Sequence, residues 1–167
     1  MGNSSNGTPD TGVAGAVTVL GNFSSYIGNR AGSSGRVTVS GSGAEWHSGY
    51  RVEIGSAGSG RLDISNGGVV TTSAPGIGGV GVIGLDNTGL VTVSGTGSLW
   101  YLGDVGRGYS GGLYVGSGGT LEISGGGWVE GSGESCVGGP DSLSGTAVVR
   151  VSGQGSQWIT GGGAVCR

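Results

Sequence analysis

The chain has 167 residues, of which 45 are glycine, ten are aromatic and one is methionine, so a globule built on large apolar side chains is excluded. Only three prolines and no three-residue glycine period exclude collagen, and an apolar share of 34% gathered in β-branched clusters argues against disorder. Seven arginines, no lysine and ten acidic residues give a net charge of -3 without a basic run, so neither nucleic acid nor anionic lipid is expected as a partner.

In chain order, the opening MGNSSNGTPDTG reads as part of a flexible leader over residues 1–15, followed by one repeat domain over residues 16–167. The opening has neither the basic nor the apolar region of a secretory signal, so any export signal is expected outside the chain as given. No stretch approaches the roughly 20 apolar residues of a membrane span, and direct membrane insertion is not expected.

The repeat is carried by five clusters of one form: Val37-Thr38-Val39-Ser40, Leu62-Asp63-Ile64-Ser65, Val91-Thr92-Val93-Ser94, Leu121-Glu122-Ile123-Ser124 and Val149-Arg150-Val151-Ser152. Their first residues are 25, 29, 30 and 28 positions apart. Val17-Thr18-Val19-Leu20, 20 positions before the first, reads as a degenerate sixth copy. Aliphatic residues at the first and third positions with a polar residue between them predict a strand with one buried face. Thr38, Asp63, Thr92, Glu122 and Arg150 are then an outward, solvated column, and the Ser with Gly or Asn after each cluster predicts a corner.

A shorter mark precedes each strand, at Ile27-Gly28, Ile54-Gly55, Ile83-Gly84, Val115-Gly116 and Val137-Gly138. A third inward position follows the Ser, at Trp46, Val70, Trp100, Val129 and Trp158. Three short strands and three glycine-rich corners per unit, with no helical period, predict an all-β parallel solenoid of about five to six coils. The coils alternate between VTVSGxGSxW and LxISxGGxV forms, so the full repeat is two coils, and an insertion at Thr71 to Gly81 lengthens the second coil.

SGTGSLW at Ser94 to Trp100, SGQGSQW at Ser152 to Trp158, the looser SGSGAEW at Ser40 to Trp46 and GTLEISGGG at Gly119 to Gly127 carry a resemblance. The chain resembles the repeats in passenger regions of type V secretion autotransporters and of PEP-CTERM-associated bacterial surface proteins, over about Tyr26 to Trp158. The resemblance implies a right-handed parallel β-helix, exported to the extracellular space or the bacterial outer cell surface, with a structural or adhesive role and no catalytic one. The family's translocating barrel and sorting tail are missing, so a fragment of a longer passenger is expected. Residues 161–167 read as the opening of another coil, from which end-to-end self-association is expected.

A catalytic alternative, a polysaccharide lyase or hydrolase, needs carboxylates converging within roughly 5 to 9.5 Å. Asp63 and Glu122 stack two coils apart with Thr92 between them, roughly 10 Å along the axis, too long for a retaining pair and marginal for an inverting one. Arg51, Glu53, Arg61 and Asp63 read instead as cross-strand surface ion pairs, and His47 as a solvated corner residue. Asp86-Asn87 and Asp141 read as turn residues. Neither the calcium nonapeptide nor a zinc spacing is present, and no cofactor or metal site is expected. The serine column Ser40, Ser65, Ser94, Ser124 and Ser152 reads as a ladder; a flat ice-binding face is disfavoured by Asp63, Glu122 and Arg150 beside it. Cys136 and Cys166 read first as small buried or unpaired thiols, with a bridge between neighbouring turns as the alternative.

Trp46, Trp100 and Trp158 fill a slot held by valine in the alternate coils and are expected in the core. Trp128 aligns with Val69, one residue before the inward Val129, so alternation turns it outward. With Tyr101, Tyr109 and Tyr114 it forms the candidate contact set, for a glycan or for a host or neighbour surface protein. A Trp128 folded over its own glycine-rich corner is the structural alternative.

Overall fold

The computed structural model describes residues 10–11, 15–19, 22–103, 111–138 and 145–161. Among these residues every regular element is a strand. β1 (Asp10–Thr11), β2 (Ala16–Thr18) and β3 (Ser24–Ile27) precede coil one, which consists of β4 (Ser34–Ser40), β5 (Glu45–Ser48) and β6 (Arg51–Ile54). Coil two is β7 (Ser59–Ser65), β8 (Val69–Thr72) and β9 (Val80–Ile83); coil three is β10 (Gly89–Ser94), β11 (Leu99–Leu102) and β12 (Gly112–Val115). Coil four is β13 (Gly119–Ser124), β14 (Trp128–Gly131) and β15 (Cys136–Val137), and β16 (Val148–Ser152) with β17 (Gln157–Thr160) belongs to coil five.

Each strand pairs in parallel with the strands three before and three after it. Three stacked sheets result, β1-β4-β7-β10-β13-β16, β2-β5-β8-β11-β14-β17 and β3-β6-β9-β12-β15. The chain is thus an all-β parallel solenoid, and it makes about 4 turns rather than the five to six expected. The difference lies at the ends, where β1 and β2 have only 2 and 3 residues and β16–β17 are without a third-sheet strand among the described residues. The first sheet also begins earlier than the expected domain boundary, because Asp10 and Thr11 pair with Thr38 and Val39. The Gly15 carbonyl likewise accepts from the Glu45 amide at 2.8 Å, and the rest of the expected leader lies outside the described residues.

The Val17 cluster is not a copy of the first-sheet strand. Val17 pairs with Trp46 and Thr18 with His47, which places β2 in the second sheet. Val17 stands 29 positions before Trp46, close to the spacing between the other coils, whereas 20 positions before Val37 is too short for a full turn.

The registers of the five main clusters are as the pattern predicts. Val37, Leu62, Val91, Leu121 and Val149 stack in one inward column, and Val39, Ile64, Val93, Ile123 and Val151 in the next. Ile27, Ile54, Ile83, Val115 and Val137 form the third-sheet column. Such a stack buries aliphatic groups that no single coil could cover alone. Glycine is required where a first-sheet strand begins beside the third-sheet corner: a Cβ on Gly89 would collide with the backbone carbonyl of Ile54.

The two coil types differ physically in their corners after the first-sheet strand. In coils two and four the Gly68 and Gly127 amides donate to the Ser65 and Ser124 carbonyls at 3.0 Å. Both central residues have positive φ, 54° and 85° at Asn66-Gly67, and 57° and 91° at Gly125-Gly126. That is the type I′ pattern, which Asn-Gly and Gly-Gly suit. In coils one, three and five the corner is one residue longer. There Ala44, Ser98 and Ser156 donate to the carbonyls of Gly41, Gly95 and Gly153, with positive φ at Gly43, Gly97 and Gly155, as a type II turn requires at its third position.

The serine before each of the later tryptophans ties a long corner to the short corner before it. Ser98 Oγ accepts from the Gly67 amide at 3.1 Å and donates to the Ser94 carbonyl at 2.7 Å. Ser156 repeats this with the Gly126 amide at 3.0 Å and the Ser152 carbonyl at 2.6 Å.

The tryptophan column Trp46-Val70-Trp100-Val129-Trp158 alternates large and small side chains. Trp100 is fully buried and leans into coil two, where its indole lies against Gly81 and its Nε1–H donates to Thr72 Oγ1 at 3.0 Å. Thr72 sits two residues beyond Val70, the strand partner of Trp100. The equivalent position for Trp158 is Gly131, and for Trp46 the register reaches Val19; neither side chain can accept a hydrogen bond. Accordingly the Nε1 atoms of Trp46 and Trp158 are buried without a partner among the described residues. A Thr72→Val substitution keeps the shape and removes the acceptor, which should lower unfolding free energy by about 1–2 kcal/mol in urea titration.

Candidate functional site

Each sheet presents a different outer face. The first carries Thr38, Asp63, Thr92, Glu122 and Arg150 in register, as expected. Asp63 is not solvated, however; it is only 7% exposed. Arg36 Nε donates to its carboxylate at 2.8 Å from coil one, Thr92 Oγ1 at 2.6 Å from coil three, and Arg61 Nε at 2.8 Å from two residues earlier on the same strand. The expected cross-strand pairing is therefore partly corrected: Arg61–Asp63 and Arg51–Glu53, the latter at 2.8 Å, run along single strands. The cross-coil pairs are Arg36–Asp63 and Arg150–Glu122, the latter at 3.2 Å. A parallel strand places residues i and i+2 on one face, which is enough for an arginine to fold along it.

Burial pushes the Asp63 carboxyl up, but the hydrogen bonds from Arg61, Thr92 and Arg36 and the charge of Arg61 outweigh it and hold the group below its ordinary value of 3.8. Because the folded pKa is the lower one, the stabilisation is complete above the unfolded value and is lost as pH falls through the folded value. Melting temperature should therefore drop more steeply below about pH 4 in the native chain than in an Asp63→Asn variant. Parallel profiles would remove Asp63 from the acid response.

Glu53 and Glu45 are also engaged. Glu53 is buried, receives a hydrogen bond from Ser56 Oγ and pairs with Arg51. His47 is not at a corner but within β5, where its Nε2 lies 2.9 Å from Glu45 Oε2 on the outer face of the second sheet. Among the described residues no three His, Cys, Asp or Glu side chains gather as a metal site. Asn87 is a turn residue as expected, its Oδ1 accepting from the Thr88 amide and its Nδ2 donating to the Ala57 carbonyl. Asp141 lies outside the described residues. The serine column is in register, and Ser65 Oγ donates to Ser40 Oγ at 3.0 Å.

The second sheet presents an outer column of Glu45, Val69, Leu99, Trp128 and Gln157. Trp128 is 37% exposed, and its Nε1–H donates to the Gly155 carbonyl of coil five at 3.1 Å. The ring therefore reaches over the next coil's corner instead of its own, and it is fixed there. Beside it lies a groove of about 490 Å³ lined by Thr96, Leu99, Gly126, Trp128, Gln154 and Gln157, together with backbone of the two long corners. The short type I′ corner at Gly125-Gly126 lies between the long corners of coils three and five, which accounts for the recess. Sequence reasoning placed Trp128 outward and missed the groove. The signal was the distance from Ser to the inward residue, six positions at Ser94 to Trp100 and five at Ser124 to Val129.

The other candidate aromatics stand apart from this groove. Tyr101 shares the outer face of the second sheet, in the column of His47, Thr71 and Glu130, with its hydroxyl against Gly103. Tyr114 is on the third sheet and lines a separate cleft of about 620 Å³ with Leu113, Glu134 and Cys136. Tyr109 lies outside the described residues.

Cys136 is disulfide-bonded, which overturns the first expectation of unpaired thiols. The one other cysteine in the sequence, Cys166, is outside the described residues. Compared with known protein families, characterised proteins and solved structures, the chain matches none.

Proposed function

We propose that the chain is a structural and adhesive segment of an exported bacterial β-solenoid, of the kind found in type V autotransporter passengers and PEP-CTERM-associated surface proteins. It acts by holding a surface at the end of a stacked rod and by binding along one face, without catalysis. The observation that carries this reading is Trp128, a solvent-facing aromatic pinned to the next coil on an otherwise regular stack. Three further features support it. The alternating phrase resembles those passenger repeats. The carboxylates of Asp63, Glu53 and Glu122 are committed to arginine and hydroxyl partners, an arrangement suited to structure rather than proton transfer. The disulfide at Cys136 suits an oxidising compartment outside the cytoplasm.

The test is localisation and attachment in the producing cell. Intact cells treated with a membrane-impermeant amine- or thiol-independent label, such as a carboxyl-reactive biotin, should yield labelled protein at the surface or in the medium. Protein recovered unlabelled from the cytoplasm alone would refute the export reading. Release of reducing ends or unsaturated uronides from a polysaccharide panel would replace it with the lyase or hydrolase alternative.

A further inference from the structure

We infer that the Trp128 groove is a subsite for a neutral pyranose chain, with the indole face as the platform and the rim of Thr96, Gln154 and Gln157 as hydrogen-bonding partners. The inference rests on the adhesive reading and gives its ligand a chemical class. Four observations lead to it.

First, the platform is preorganised. The indole N–H is held by the Gly155 carbonyl at 3.1 Å, so the ring loses little freedom when a ligand covers it. Tryptophan offers a large flat apolar face at the surface, which matches the C–H face of a pyranose ring. Its buried counterparts Trp46 and Trp100 have no such access.

Second, the lining carries no charged side chain among the described residues. Threonine hydroxyl and glutamine amide groups, each with both donor and acceptor capacity, suit the mixed donor and acceptor character of sugar hydroxyls. A uronate or sulfated chain would find no cation among the described lining residues and would meet a protein of net charge -3.

Third, the recess is built by backbone. The short corner at Gly125-Gly126 lies low between the long corners at Thr96-Gly97 and Gln154-Gly155, and a Cβ on Gly126 would stand 3.0 Å from Thr96 Oγ1. Glycine therefore keeps the floor open. The groove spans two coils, about 9.6 Å along the axis, a length that takes more than one sugar ring and so favours a chain over a monosaccharide.

Fourth, the same register in coil two holds Val69, which is why only the groove bounded by coils three and five has the platform among the described residues.

The experiment measures binding of purified chain to neutral hexaoses of β-1,4-glucose, β-1,4-xylose, β-1,3-glucose and α-1,4-glucose, with a polygalacturonate hexamer as the charged comparator. Calorimetry gives affinity, and tryptophan emission reports the environment of the exposed indole. Expected is binding of at least one neutral hexaose with a change in emission, an affinity loss of about tenfold or more in Trp128→Ala, and near-native affinity in Trp128→Tyr. Gln154→Ala and Gln157→Ala should weaken binding less and leave the emission change intact. Circular dichroism melts of all variants check folding, and Trp128→Tyr keeps the test meaningful should the alanine variant be unstable.

Absence of binding to all four neutral hexaoses overturns the subsite, as does preference for the galacturonate hexamer or equal affinity in Trp128→Ala. Binding of native and Trp128→Ala chains to whole cells or cell-wall material separates the two proposals. Equal retention of both there leaves adhesion standing and removes the groove, whereas retention of neither removes both.

Discussion

Replacing Trp100 by alanine should lower the unfolding free energy by about 4 kcal/mol, within the range of about 3–5 kcal/mol found for large aromatic residues deleted from cores. The indole is fully buried, contacts coil two at Gly81 and donates its N–H to Thr72. Its removal leaves a cavity that the stack cannot close readily, because the coils on both sides are held in register by β8 and β14. The control is Trp128→Ala, which removes an equally large ring from the outer face and should cost less, about 2 kcal/mol, since the ring is 37% exposed and its one hydrogen bond lies at the surface. Urea denaturation followed by circular dichroism gives both numbers. Equal losses for the two variants would mean that the inward and outward assignments carry no energetic weight.

Breaking the disulfide at Cys136 should cost about 2–4 kcal/mol, the usual range for a native bridge. Cys136 closes coil four on the third sheet, at the strand β15 of two residues, where backbone pairing alone gives little support. A Cys136→Ser variant and the reduced native chain should therefore unfold at the same, lower urea concentration, and local exchange of amide hydrogens should rise first around β12 and β15. The oxidised chain should resist alkylation until it is unfolded in reductant. Coincident unfolding curves with and without reductant would show that the bridge adds nothing to the stack.

The fold was legible because its signal is periodic. Five clusters of aliphatic, polar, aliphatic and serine residues specified the first sheet, and counting forward to the next inward position put Trp46, Val70, Trp100, Val129 and Trp158 in one column. Parallel in-register stacking makes such counting reliable, since a slip by one residue would turn every side chain over. The same logic failed at Val17, where a cluster with the right composition lay in the second sheet. Valine and threonine suit any of the three sheets, and only the distance to Trp46 separates them.

The side-chain contacts were less legible. The outward position of Asp63 predicts a solvated carboxylate, yet arginines folding along and across the strands cover it. Outward on a sheet means exposed only where the neighbours are short. Its place after the tryptophan predicts a corner at His47, whereas β5 continues through it to Ser48. The groove is not legible in any one coil, because it arises from a difference between two turn types, each ordinary when taken singly. Asn66-Gly67 and Gly125-Gly126 announce type I′ turns in sequence, and comparison with Gly95 to Ser98 would have exposed the missing residue.

The alternation of long and short corners also bears on how such a chain can lengthen during evolution. Duplicating one coil would set two tryptophan layers, or two valine layers, against each other, crowding the core in one case and leaving it hollow in the other. It would also place two corners of equal size side by side and abolish the recess between them. Duplicating two coils preserves both the packing and the surface. Natural length variants should therefore differ by whole pairs, in steps near the 54 and 58 residues that separate the inward tryptophans, and each added pair would bring one more position equivalent to Trp128 or Val69 at which a platform can be gained or lost by a single codon change.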